Sequence, residues 1–166
     1  RSVTERWFGR PQKTIELTDG IAEIAREMFN MTGMSYVIFI RGIALAETGR
    51  IEDGIGILKD GIDVCEKFGV SIRLACLYNC LGYCYNEIHN IERAAALNKK
   101  GEEIARSLLI KYPMARHQNA EMLAQSHINL MENYFDQGKF DEAQRYAEQA
   151  LDISEESGDR WFRAII

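Results

Sequence analysis

Gln137-Gly138-Lys139-Phe140-Asp141-Glu142-Ala143 joins two stretches of helical spacing, and its glycine and alanine set the architecture. Only glycine enters the left-handed cap conformation without strain, so Gly138 ends a helix over 116–136. Downstream, Tyr146, Ala150, Leu151 and Ile153 keep one apolar stripe, which predicts a second helix over 140–156. The small residues Ala143, Ala147 and Ala150 on that helix are expected to let the next repeat pack close.

Working outward, Gly49 ends a helix in the same way. Laying Gly42 over Gly82 brings ETGRIEDGIGILKDG of residues 47–61 onto EIHNIERAAALNKKG of residues 87–101, and glycine meets glycine at 61 and 101. The chain therefore repeats itself. Gly42 and Gly82 lack a Cβ, so the second helix of each repeat can lie against the first. Leu81, Leu130, Tyr85 and Tyr134 fill the space between them. Ala94 and Gly101 are further small residues on a second helix, there to admit the next repeat, and Gly69 and Gly158 end helices again. The pattern predicts a helix end near 3–8, helices near 12–29, 34–48, 51–68, 71–88, 91–111, 116–136 and 140–156, and a new helix from about 160.

Tyr78-x2-Leu81-Gly82-x2-Tyr85 followed by Ala94, and His127-x2-Leu130-Met131-x2-Tyr134 followed by Ala143, Ala147 and Ala150, resemble the tetratricopeptide repeat. Tyr78 stands where that family usually has Trp, and residues 137–143 look like its turn from first to second helix. The resemblance implies an all-α fold, a right-handed α-α superhelix of antiparallel helix pairs. It divides a single array over 1–166 into a partial first repeat (1–30), repeat 2 (31–69), repeat 3 (70–112), repeat 4 (113–158) and the start of a further helix (159–166). Gly42 and Gly82 lie 40 residues apart and Gly82 and Met131 lie 49 apart, against 34 in the standard repeat. Pro113, inside KYPMARHQNA, extends the third connection. Such long repeats resemble those of bacterial STAND-type ATPases, maltose-activator-like transcription regulators and ATPase-coupled nucleotide cyclases.

Composition narrows the class. The chain has 166 residues, 46% hydrophobic and 27% charged, with thirteen glycines and two prolines. That is enough apolar material for a core without disulfide staples. No apolar run approaches the roughly 20 residues that cross a bilayer, and the start lacks the pattern of a signal peptide. Beginning at Arg1, the chain reads as processed or excised. A net charge of -5, with no Lys/Arg stripe, argues against direct nucleic-acid binding. Cys65, Cys76, Cys80 and Cys84 sit in apolar helical stretches where disulfide geometry is hard to reach, which points to a reducing cytoplasm.

Chemistry-bearing motifs do not assemble. GIGILKDG at 54–61 lacks the preceding strand and the Lys-Ser/Thr of a phosphate loop. His89, His117 and His127 are scattered without metal spacing, and His127 takes an aromatic packing position. Cys76, Cys80 and Cys84 recur every four residues along one helix face, which a buried apolar row explains better than a metal site. The pairs Glu102-Glu103 and Glu155-Glu156 read as solvated helix surface. The expectation is no catalytic residue, no cofactor and no metal.

Function then falls to a surface. In stacked helix pairs, the first helices line the inner face. The resemblance carries the inner-face positions onto Tyr36, Phe39, Ile43 and Glu47 in repeat 2, Asn79, Tyr83, Asn86 and Glu87 in repeat 3, and Gln125, Ile128, Glu132, Phe135 and Asp136 in repeat 4. Amides suit an extended backbone, aromatics suit side chains, and the four acids repel a carboxylate-ended peptide. The expected function is a non-catalytic scaffold that binds a neutral or basic peptide, or a protein partner, on this concave face. The alternative is a regulatory arm of a larger bacterial signalling protein (ATPase, nucleotide cyclase or transcription regulator) acting within the same chain. Self-association through the solenoid ends is a further expectation.

Overall fold

The structure, a computed structural model, describes residues 9–28, 30–69 and 73–157. Seven α-helices follow one another among these residues: α1 (Pro11–Glu27), α2 (Met31–Glu47), α3 (Ile51–Lys67), α4 (Leu74–Glu87), α5 (Ile91–Lys111), α6 (Arg116–Asp136) and α7 (Phe140–Ser157). A single 3-10 turn, Pro113–Ala115, separates α5 from α6. Short connections make consecutive helices neighbours. The pairs α2/α3, α4/α5 and α6/α7 stack as a helical repeat solenoid, with α1 packed against α2. The expected helix end near 3–8, the Gly158 stop and the helix from about 160 lie outside the described residues. No helix among those described is long and apolar enough to cross a membrane.

The turns inside the three pairs share one geometry. Gly49 (φ 82°) and Gly138 (φ 70°) are left-handed, and so is His89 (φ 57°) at the equivalent place in the middle repeat. In each, the left-handed residue's N–H reaches the carbonyl three back, and the next N–H reaches five back. The bonds are Gly49 to Ala46 and Arg50 to Leu45; His89 to Asn86 and Asn90 to Tyr85; Gly138 to Phe135 and Lys139 to Tyr134, all between 2.8 and 3.0 Å. This is the Schellman cap, which satisfies carbonyls that the helix end leaves open. Helix α2 begins at Met31, earlier than the periodicity indicates, because Asn30 caps it by accepting from the Gly33 N–H at 2.8 Å.

The unequal repeat spacing has a simple cause. Helix α6 has 21 residues where α4 has 14, and α5 has 21 where α3 has 17; the connection through the Pro113 3-10 turn is short and adds nothing to the spacing. Within pairs, an added Cβ on Gly42 would meet Leu58 Cγ at 2.6 Å, and one on Gly82 would meet Asn98 Cγ at 2.7 Å. Gly101 differs from expectation. It faces Asn79 and the Ala75 carbonyl on α4, the first helix of its own repeat, and so admits that helix and not the next repeat.

The two seams between repeats are built differently. Between repeats 2 and 3, Ile55, Leu58, Ile62 and Cys65 of α3 pack on Leu77, Tyr78, Leu81 and Tyr85 of α4 in one apolar cluster. At its edge, the Tyr78 hydroxyl donates to Glu66 at 2.7 Å. Forty residues on, the places of Leu58 and Ile62 are taken by Asn98 and Glu102, both buried. The seam from repeat 3 to repeat 4 is consequently polar over this stretch, beside an apolar cluster of Ala75, Ala105, Leu108, Met122 and Leu123, and its buried polar groups must pair internally.

Candidate functional site

The first helices stack on one another, α2 against α4 and α4 against α6, so residues on their shared face form one surface. Ten of the thirteen expected residues reach solvent at least in part. Glu47, Glu87, Glu132, Phe135 and Asp136 are exposed, and Tyr36, Phe39, Tyr83, Asn86 and Gln125 are half-buried. The other three are placed inside the stack: Ile43, Asn79 and Ile128 are 6%, 2% and 3% exposed. Ile43 and Ile128 pack in apolar clusters. Asn79 spends its amide on Ser126 Oγ at 2.9 Å and the Met122 carbonyl at 3.2 Å.

Asn79 belongs to a ladder of amides through the polar seam. Asn129 donates to the Asn79 carbonyl and to Asn98 Oδ1, each at 3.1 Å. Asn98 donates to Asn133 Oδ1 at 2.8 Å, and Asn133 to Asn86 Oδ1 at 2.9 Å. Gln125 closes the other side by donating to Asn129 Oδ1 at 2.8 Å. The half-buried Asn86 and Gln125 are therefore the surface ends of a fixed network.

Glu102 corrects the sequence reading. It is 8% exposed and not on a solvated surface. Arg106 donates to its Oε1 through Nε (3.0 Å) and Nη2 (2.8 Å). His127 Nε2 lies 3.3 Å from the same oxygen, and the Tyr146 hydroxyl lies 3.4 Å from Oε2. Burial alone raises this carboxyl, but the bonds to His127 and Arg106 and the charge of Lys99 outweigh it and hold the group at about 2. His127 does pack, edge-on to Tyr146 at 5.4 Å, yet its ring is also part of this charged cluster. Together these groups join α5 to α6 and α7.

Four carboxylates follow the stack on its surface. Glu47, Glu87 and Asp136 occupy the same repeat position, at the last or C-terminal residue of α2, α4 and α6. None of the three helices has a basic residue in its last turn. Carboxylates there oppose the helix dipole. Partial desolvation of the carboxyl at its place on the stack, and after it the charges of Asp136 and Glu87, raise Glu132 above its ordinary value, so residues from two repeats share one negative field. Tyr36 and Phe39 lie ring to ring at 6.1 Å on α2, and Phe135 meets Phe140 at 5.5 Å.

The cysteines are free. Cys65, Cys80 and Cys84 pack in the seam between repeats 2 and 3, while Cys76 turns to the cluster with Leu108 and Met122. Burial pushes the thiols of Cys65 and Cys76 up, and that of Cys84 up to about 12, away from the thiolate that metal binding or attack needs. Among the described residues, no three His, Cys, Asp or Glu gather as a metal site.

Sequence reasoning passed over Asn98, Asn129 and Asn133, and read Glu102 as solvated surface. The one signal was their register: Asn98 and Glu102 align with the core positions Leu58 and Ile62 once the glycines are superposed.

No protein-family profile matches the chain, and no curated protein matches it in sequence. Solved structures match it in shape. BtubC (BKLC) from P. vanneervenii superposes with a TM-score of 0.72 at 19% identity, over 95% of this chain and 62% of that one. The apo form of RapI superposes with a TM-score of 0.78 at 16% identity, over 98% of this chain and 56% of that one. The TPR-like repeats of a kinesin light chain from Podosopora anserina give 0.53 at 16% identity, over 96% and 93%. These likenesses show the fold: a TPR-like helical solenoid. The chain spans less than two thirds of the length of BtubC and of RapI.

Proposed function

We propose that the chain is a non-catalytic protein-interaction module whose first-helix face receives a neutral or basic segment of a protein partner. The observation that carries this reading is the recurrence of Glu47, Glu87 and Asp136 at one repeat position, reinforced by Glu132. Each carboxylate at a helix C-terminus costs roughly 0.3–1 kcal/mol. A repeated local cost of this kind belongs at a site that uses the negative field. Such a field speeds the encounter with a cation and rejects an acidic competitor.

The test is fluorescence anisotropy with two labelled nonapeptides in a Gly-Ser background, one carrying three lysines and one three glutamates, at physiological salt. The lysine peptide binds more tightly, and Glu87→Gln combined with Asp136→Asn weakens it by about threefold or more. Tighter binding of the glutamate peptide overturns the reading.

A second reading is favoured by the repeat lengths of 40 and 49 residues, which resemble those of bacterial STAND-type and maltose-activator-like regulators. There the same face docks a domain of its own chain, and the array acts as a regulatory arm.

A further inference from the structure

Phe135 and Phe140 are 61% and 62% exposed and meet edge to face, with centroids 5.5 Å apart and planes at 67°. Two phenylalanines placed in contact and left in water lose most of the burial that makes such rings stabilising. Their surroundings are anionic. Glu132 lies one helical turn before Phe135, Asp136 follows it, and Asp141 follows Phe140, with all three acids exposed.

Elsewhere tyrosine ring faces, buried and half-buried, carry a cation. Arg73 lies over Tyr36 at 5.1 Å, Lys100 over Tyr78 at 5.3 Å and Arg93 over Tyr85 at 4.5 Å. Lys99 lies over Tyr146 at 4.7 Å and Lys139 over Tyr134 at 5.6 Å. Among the described residues, no lysine or arginine covers Phe135 or Phe140. Lys139, the residue before Phe140, is committed to Tyr134. The pair thus offers ring faces with the Glu132 carboxylate on the same helix face and further acids nearby in sequence, the combination that attracts a guanidinium through the ring quadrupole and through charge together.

We propose that the Phe135–Phe140 pair, with Glu132 one helical turn from Phe135 on the same helix face, receives an arginine side chain of a basic partner segment. The guanidinium stacks on a phenyl ring and pairs with a carboxylate. An ammonium makes the charge contact without the planar stacking, so arginine is preferred to lysine. This inference rests on the interaction-module reading and gives it a residue-level specificity.

The experiment uses fluorescein-labelled nonapeptides in a Gly-Ser background carrying two arginines, two lysines or two glutamates. They are titrated against the full chain and against Phe135→Leu/Phe140→Leu, which keeps apolar bulk and removes the ring faces. Both positions are mostly exposed, and a circular dichroism melt confirms folding; Phe140→Leu alone serves as the second variant. The expected result is tighter binding of the arginine peptide by the wild type. The ring substitutions reduce that binding about three- to fivefold and leave the lysine peptide nearly unchanged. Equal binding of the arginine peptide by wild type and both variants overturns this inference while leaving the broader reading in place. Preference of the wild type for the glutamate peptide overturns both. A wild-type dimer in light scattering that the leucine variants dissociate also overturns it, because the occupant is then a second copy of the chain.

Discussion

Asn98 donates its amide to Asn133 Oδ1 at 2.8 Å, and this buried bond joins the second helix of one repeat to the first helix of the next. Its neighbours Asn79, Asn86 and Asn129 leave no free choice of register, since a shift of one helical turn would unpair several buried amides at once. Asn98→Leu copies the residue found at the equivalent Leu58. It leaves Asn133 Oδ1 and Asn129 Nδ2 without Asn98, and each buried group stranded in this way costs about 1–3 kcal/mol. The expected loss is about 2–4 kcal/mol, read by urea unfolding as a lower midpoint at unchanged slope.

Glu102 makes stability depend on pH. Its carboxyl titrates at about 2 in the folded chain against an ordinary 4.5, so the charged form is favoured by folding. The contribution is fully present above about pH 5 and is lost as pH falls toward 2. It amounts to about 2–3 kcal/mol. Unfolding curves measured from pH 6 to pH 2 show this fall in the wild type, and Glu102→Gln flattens it.

His89 is left-handed, with φ 57°, where the neighbouring repeats use Gly49 and Gly138. A side chain in that conformation is strained, and the ring is exposed. His89→Gly removes the strain at the cost of added freedom in the unfolded chain. The net expectation is a gain of about 0.5–1 kcal/mol, seen as a higher midpoint in thermal unfolding.

Two glycine substitutions separate close approach from mere propensity. A Cβ on Gly82 would lie 2.7 Å from Asn98 Cγ, whereas one on Gly56 would meet nothing within 4 Å. Gly82→Ala displaces Asn98 from the ladder and costs about 1–3 kcal/mol. Gly56→Ala lies on the exposed side of α3 and stabilises by up to about 1 kcal/mol. Opposite signs in parallel denaturation curves are the expected outcome.

These cases show which parts of the fold can be read locally. The limits 91–111 and 116–136 coincide with α5 and α6, because proline, glycine and apolar spacing act over a few residues. Gly49 and Gly138 announce their caps for the same reason, while His89 carries the same geometry without the residue type that signals it. Asn98 and Glu102 look like solvated helix residues, and their true surroundings come from partners 35 and 25 residues away. On the candidate face, the exposed acids keep the places that repeat register gives them. Ile43, Asn79 and Ile128 are taken into the stack, because exposure depends on how closely the next helix approaches.

Glu132 and Asp136 stand four residues apart on α6, so their charges face each other along the helix. Asp136 and Glu87 both add to the raising of the Glu132 carboxyl. Removing the Glu132 charge relieves that repulsion, so Glu132→Gln stabilises the chain at pH 7 by about 0.2–0.5 kcal/mol. Because the folded carboxyl is raised, the penalty is present when the group is ionised and vanishes as pH falls below its unfolded value. The gain from Glu132→Gln is therefore seen at pH 7 and disappears near pH 3. The same substitution weakens the lysine nonapeptide. A variant that is more stable and binds less tightly is the signature of a charge retained for recognition; one that is more stable and binds equally well assigns Glu132 no part in the interaction face.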